Sequence, residues 1–135
     1  MRDGQDFLII TNNPLAVACM KEYYEMDFLP EGTYRDVLVK ARDRVYAGYT
    51  LYTHPLSGSV KPNETPYKSI VVSKKKHEFS MDQAEIMSNA MTTFDKFAPR
   101  NRVLSEKVLK DFQLIDYTLL AGALDFDAEA GLSKI

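Results

Sequence analysis

The densest group of chemically useful side chains lies in residues 53–69, Thr-His-Pro-Leu-Ser-Gly-Ser-Val-Lys-Pro-Asn-Glu-Thr-Pro-Tyr-Lys-Ser. His54 is the most versatile member, because an imidazole changes charge near neutral pH. A histidine at a strand end can equally well hydrogen-bond the loop backbone. Ser57 and Ser59 flank Gly58, so their hydroxyls and neighbouring N–H groups could form an anion nest. The same triplet also makes an ordinary turn, and that reading carries more weight. Lys61 and Lys68 could bring positive charge to an anionic ligand, although a surface lysine is usually only solvated. Asn63 and Glu64, beside Thr65, could hold the loop through side-chain to backbone bonds, a role that suits Glu64 better than general-base duty. Tyr67 could donate a hydrogen bond or stack on a ligand, but packing as a lid on the core edge suits it better. A second segment, Thr11-Asn12-Asn13-Pro14, puts Asn12 and Asn13 at a helix N-terminus, where anions are favoured. Capping is their first task, and ligand binding would be additional.

Several sharper chemistries are absent. The sequence has neither a Gly-x-x-x-x-Gly-Lys phosphate loop nor a Gly-x-Gly-x-x-Gly dinucleotide fingerprint. The two histidines, His54 and His77, are too far apart for a metal motif, so no metal and no cofactor is expected. Ser57, His54 and Glu64 could be drawn as a triad, but crowding in one loop works against the required geometry. Cys19 falls on the apolar side of a helix and reads as a small buried filler rather than a nucleophile.

These segments need a scaffold, and hydrophobic periodicity supplies one. Residues 7–11 form a short apolar run ending in turn residues, the mark of a buried strand. Asn13-Pro14 starts a helix expected to reach about Tyr24, with Leu15, Ala18, Cys19 and Tyr23 inward. A short strand is expected at 26–29. Thr33 caps a helix whose inward face is Tyr34, Val37, Leu38, Ala41 and Val45, stopped by Gly48. Strands follow at 49–53 and 69–73, the latter dense in β-branched residues. Between them, the 54–68 loop contains Pro55, Pro62 and Pro66, which exclude a hidden helix and stiffen the chain. Loops of this length in a compact domain are often functional. Without a crossover helix, the fourth strand should return antiparallel to the third. Ser80 and Gln83 form a capping box for a helix with Met87, Ala90, Met91, Phe94 and Phe97 inward, stopped by Pro99. A last helix begins near Ser105 with Val108, Phe112, Ile115 and Leu119 inward. The small, acidic tail from about 125 is expected to fray.

The expected fold is therefore α/β: one three-layer αβα domain over residues 1–135. Its short sheet of about four strands should be mainly parallel, with one antiparallel edge strand. Ligands in such sheets bind beyond the carboxyl ends of the strands. That rule joins residues 11–14 and 53–69 into one crevice.

Composition narrows the function classes. A chain of 135 residues can bury a core without staples. A net charge of −2 argues against a nucleic-acid binder. A single cysteine permits no internal disulfide and fits a reducing, cytoplasmic compartment. No stretch has the length of a membrane span, and the apolar run after the first residues is too short for a signal peptide.

At these two segments the chain resembles the GrdX family, small proteins encoded alongside glycine reductase. The resemblance is carried by Thr11-Asn12-Asn13-Pro14, by Thr53-His54-Pro55-Leu56, and by the run Lys61-Pro62-Asn63-Glu64-Thr65-Pro66-Tyr67-Lys68-Ser69. It extends over most of the chain, including Asp36-Val37-Leu38. It implies the cytoplasm of an anaerobic, amino-acid-fermenting bacterium, in which glycine reductase yields acetyl phosphate. It brings no catalytic residues, so whether the chain is an enzyme stays open. Two functions compete. One is the binding of a small anionic metabolite in the crevice by Asn12, Asn13, His54, Ser57, Ser59, Lys61, Asn63, Glu64, Tyr67 and Lys68. The other is an accessory protein that docks the 53–69 loop onto a glycine reductase component. A loop with His54, Ser57 and Lys61 turned inward favours the first. A loop with Leu56, Val60 and Tyr67 turned outward favours the second.

Overall fold

The strand Phe7–Thr11 (β1) is buried at all five positions, which requires a layer on each side of it. The computed structural model describes residues 4–57, 61–97 and 103–135. Along the chain follow α1 (Pro14–Met20), β2 (Glu25–Phe28), α2 (Tyr34–Tyr46), β3 (Tyr49–Leu51), β4 (Ser69–Lys76), α3 (Met81–Lys96), α4 (Glu106–Ala123) and α5 (Ala128–Leu132).

The strands form one sheet in the order β2-β1-β4-β3. Only β1 and β2 pair in parallel, while β4 is antiparallel to both β1 and β3. The expected mainly parallel sheet with an antiparallel edge strand is thus corrected: the antiparallel strand lies inside. The physical reason is burial. The first five residues of β4 are buried on both faces, and an edge position could not cover them. The three-residue β3 takes the edge instead. There the Gln83 side chain donates to the Leu51 carbonyl at 3.0 Å and accepts from its N–H at 2.8 Å. An otherwise open strand edge is closed by one amide. Because both are antiparallel to β4, β1 and β3 still point the same way. Their carboxyl ends share one end of the sheet, and Thr11 stands opposite Ser69, where β4 begins.

Alternation along the strands divides the core. Leu8, Ile10, Ile70 and Val72 face one side and pack with Val37, Leu38, Ala41 and Val45 of α2 and Met87 and Met91 of α3. Phe7, Ile9 and Val71 face the other and pack with Ala16, Cys19 and Met20 of α1 and Tyr117, Leu120 and Ala121 of α4. In α2 the expected inward face is buried throughout, and Thr33 with Asp36 forms a full capping box.

Other helices depart from expectation. α1 ends at Met20, because the chain must turn there to enter β2; the Tyr23 and Tyr24 N–H groups both donate to the Met20 carbonyl. Its buried residues are Ala16, Cys19 and Met20, with Ala18 exposed. Ser80 caps α3, but the Gln83 side chain goes to Leu51 rather than back to Ser80. Pro99, the expected stop of α3, lies outside the described residues. In α4 the buried positions are Asp116, Tyr117, Leu120 and Ala121, while Ile115 and Leu119 stay 38% and 49% exposed. The expected stripe is displaced, and a carboxylate occupies the true inner face.

The tail from 125, expected to fray, carries α5. Phe126, Ala128 and Leu132 pack on the second core cluster, and the Tyr117 hydroxyl donates to the Ala128 carbonyl at 2.7 Å. Gly131 is buried there, and a Cβ on it would collide with the Tyr117 hydroxyl oxygen. The Gly131→Ala variant therefore tests whether the tail docks. A frayed tail would gain slightly from the better helix former. A docked one should lose roughly 1–3 kcal/mol through overpacking, read as a lower urea midpoint.

Candidate functional site

Where β1 ends, the backbone leaves the sheet and side chains take over its hydrogen bonds. The Asn12 amide nitrogen donates to the Gly32 carbonyl at 3.0 Å and to the Pro66 carbonyl at 2.7 Å. Its amide oxygen accepts from the Lys68 N–H at 2.9 Å. One buried side chain thus ties β1 to the turn before α2 and to the exit of the 54–68 loop. Asn13 does the same toward the opposite layer. Its oxygen caps α1 by accepting from the Leu15 N–H, and its nitrogen donates to the Gln113 carbonyl and to Asp116 Oδ2, both at 2.9 Å. An amide has two donors, and each asparagine spends both within the fold. Asn12 and Asn13 build the site's walls and have no donor left for an anion.

Asp116 is the centre of a buried polar chain. The Ser69 hydroxyl donates to its Oδ2 at 2.7 Å. With that proton committed, Thr11, 2.7 Å away, is the donor to Ser69 Oγ. Thr11 Oγ1 in turn accepts from the Asn13 N–H. Burial pushes the Asp116 carboxyl above its ordinary value, against the opposing pull of Ser69, Asn13 and the Lys68 charge. Lys68, also buried, donates from Nζ to the Ser57 carbonyl at 3.0 Å and lies 5.9 Å from the centre of the Tyr34 ring. Burial lowers its pKa, while Asp116 works the other way.

These residues open on a crevice of about 60 Å³. Its polar lining comprises Tyr34, Thr53, Ser57, Thr65, Tyr67, Lys68, Ser69 and Asp116. Its apolar wall is one face of α4, chiefly Phe112, Ile115 and Leu119. The Tyr67 hydroxyl accepts from Gln113 Nε2 at 2.8 Å, fixing the loop exit to α4.

The sequence-derived candidates separate accordingly. Ser57, Tyr67 and Lys68 line the crevice, and Asn12 and Asn13 stand behind it. His54 is exposed, and its Nδ1 accepts from the Leu56 N–H at 3.1 Å, the backbone role weighed for it. Lys61 is exposed on a turn closed by the Glu64 N–H donating to the Lys61 carbonyl. Asn63 and Glu64 are half-buried in that turn, away from the crevice lining. Ser59 and Gly58 lie outside the described residues, and with them the proposed nest. Sequence reasoning missed Asp116, Gln113, Tyr34 and the α4 wall. One clue to Asp116 was available: it stands four residues from both Phe112 and Leu120, a carboxylate set in an apolar stripe.

A family model described as GrdX-like protein matches residues 8–125. The chain belongs to the GrdX-like family. The match spans both site segments and reaches past Asp116 through the α4 wall. No curated protein and no solved structure shows a significant match. Among the described residues of this GrdX-like chain, no helix is long and apolar enough to cross a membrane, and no cluster of three His, Cys, Asp or Glu could hold a metal ion.

Two stability measurements check this architecture. Asn12→Ala orphans the buried Lys68 N–H and the part-buried Gly32 and Pro66 carbonyls and should cost about 2 kcal/mol or more, whereas His54→Ala should cost less than about 1 kcal/mol. Equal losses would contradict the assigned roles. The second is pH dependence. The folded chain holds the Asp116 proton to a higher pH than the unfolded chain, whose carboxyl titrates near 3.8. That contribution is full below the unfolded value and is lost as pH rises through the folded one. Urea midpoints should therefore fall less steeply with rising pH in Asp116→Asn than in the parent chain.

Proposed function

We propose that the crevice binds a small anionic metabolite, carboxylate- or phosphate-bearing, with the anion on Lys68. The observation that carries this reading is a buried lysine that commits one of its three donors to Ser57 and opens on a small cavity lined by hydroxyls. Burying an ammonium costs free energy, and groups perturbed by desolvation beside a charged partner in a cleft are characteristic of functional sites. Size selects among ligands. A crevice of about 60 Å³ suits a molecule the size of acetate or phosphate better than a nucleotide.

The orientation of the loop supports binding over docking. Leu56 packs against the first core cluster, and Tyr67 lines the crevice, so two of the anchors considered for a partner are turned inward. Val60 lies outside the described residues. His54 and Lys61 do not line the crevice, which moves the proposed cationic contact to Lys68. The family resemblance suggests that the ligand belongs to the glycine reductase system, and a place in the cytoplasm is proposed with it. Docking onto a reductase component would be tested by co-purification.

Thermal-shift titration with phosphate and acetate tests the binding reading. Ligand at 100 times its dissociation constant should stabilise the fold by roughly 2.7 kcal/mol, or on the order of several degrees. Lys68→Met should remove the shift. His54→Ala and Lys61→Ala should keep it, and nucleotides should give none. A shift that survives Lys68→Met would contradict the proposal.

A further inference from the structure

We infer that the crevice is built for a zwitterion: a small molecule whose acid group meets Lys68 and whose amine meets Asp116. The inference rests on the binding reading above and specifies its ligand class. Its basis is the charge inventory of the lining. Lys68 and Asp116 are the charged residues among the described lining, and they come from different elements. Lys68 stands at the entrance to β4, and Asp116 on α4. Both are buried, and each is close enough to bias the other's titration. Neither is loose. Lys68 is held by the Ser57 carbonyl, and Asp116 Oδ2 by Asn13 and Ser69.

A simple anion bound here would gain the Lys68 charge but share a crevice of about 60 Å³ with the Asp116 carboxylate. In surroundings of low dielectric that repulsion is poorly screened. A simple amine would meet the mirror-image problem at Lys68. A molecule carrying both charges a few ångströms apart satisfies both walls and leaves the site neutral. Size and shape agree. A crevice of about 60 Å³ fits a compact amino acid. The Phe112, Ile115 and Leu119 wall would accept a small apolar substituent.

Calorimetry on the full chain at neutral pH separates the alternatives. The probes are glycine, as the smallest molecule with both groups, acetate, as its acid half, and methylammonium, as its amine half. Glycine should bind at least tenfold more tightly than either half. Asp116→Asn preserves shape and should erase the advantage of glycine over acetate. Lys68→Met should erase its advantage over methylammonium. Acetate binding as well as glycine to the unaltered chain would overturn the inference and leave the anion-site reading standing. Binding of none of the probes or of phosphate would overturn both. A glycine preference that persists in folded Asp116→Asn would show that Asp116 does not hold the amine. If that variant does not fold, the three-probe comparison on the unaltered chain decides alone.

Discussion

The Asn12 side chain makes three hydrogen bonds that the sheet cannot make. At the end of β1 the chain turns away to start α1, while the strand beside it, β4, has only just emerged from a long loop. Backbone groups of Gly32, Pro66 and Lys68 are left without strand partners there, and Asn12 satisfies one from each. Its neighbour Asn13 fixes α4 to the same point. Two consecutive amides, buried and spent on the fold, therefore set the distance between the loop and the helix that form the crevice. The position of Lys68 follows from this, because its N–H is one of the groups Asn12 holds.

What that framework holds in place is electrostatically costly. Burial acts against the charged forms of both Asp116 and Lys68. A fold selected for stability alone could fill such a site with apolar side chains of similar volume. Retaining two opposite charges in the lining of a cavity, with hydrogen bonds that hold each, is the pattern expected where binding has been favoured over stability. The apolar α4 face beside them contributes by lowering the local dielectric, which strengthens any charge contact made inside.

Local rules made much of the scaffold readable. The unbroken run of β1, the Asn13-Pro14 helix start, the Thr33 cap and the α2 period each depend on near neighbours in sequence, and each stands where expected. Non-local choices were not readable. The continuous Ile70-Val71-Val72 run suits a strand buried on both faces, but its place between β1 and β3 is fixed only by pairing with β1 across 58 or more residues of sequence. α4 carries two overlapping apolar stripes, and which one faces inward depends on docking against α1 and α5. The α5 segment is too short and too poor in large apolar residues to announce a helix by itself. The site divided along the same line. The loop and the Asn pair were visible as unusual local sequence. Asp116 was not, because a carboxylate in a helix reads as solvent-facing until tertiary structure gives it Asn13 and Ser69 as partners.

The central claim is that an anion binds beside Lys68. Residue-resolved amide NMR during an acetate titration tests it most directly, because it locates binding without altering the chain. Perturbations should centre on Ser57, Lys68, Ser69 and Asp116 and saturate together along one isotherm. Shifts centred instead on Lys61 or on the exposed lysines at 74–76, or shifts that grow linearly with salt and never saturate, would contradict it.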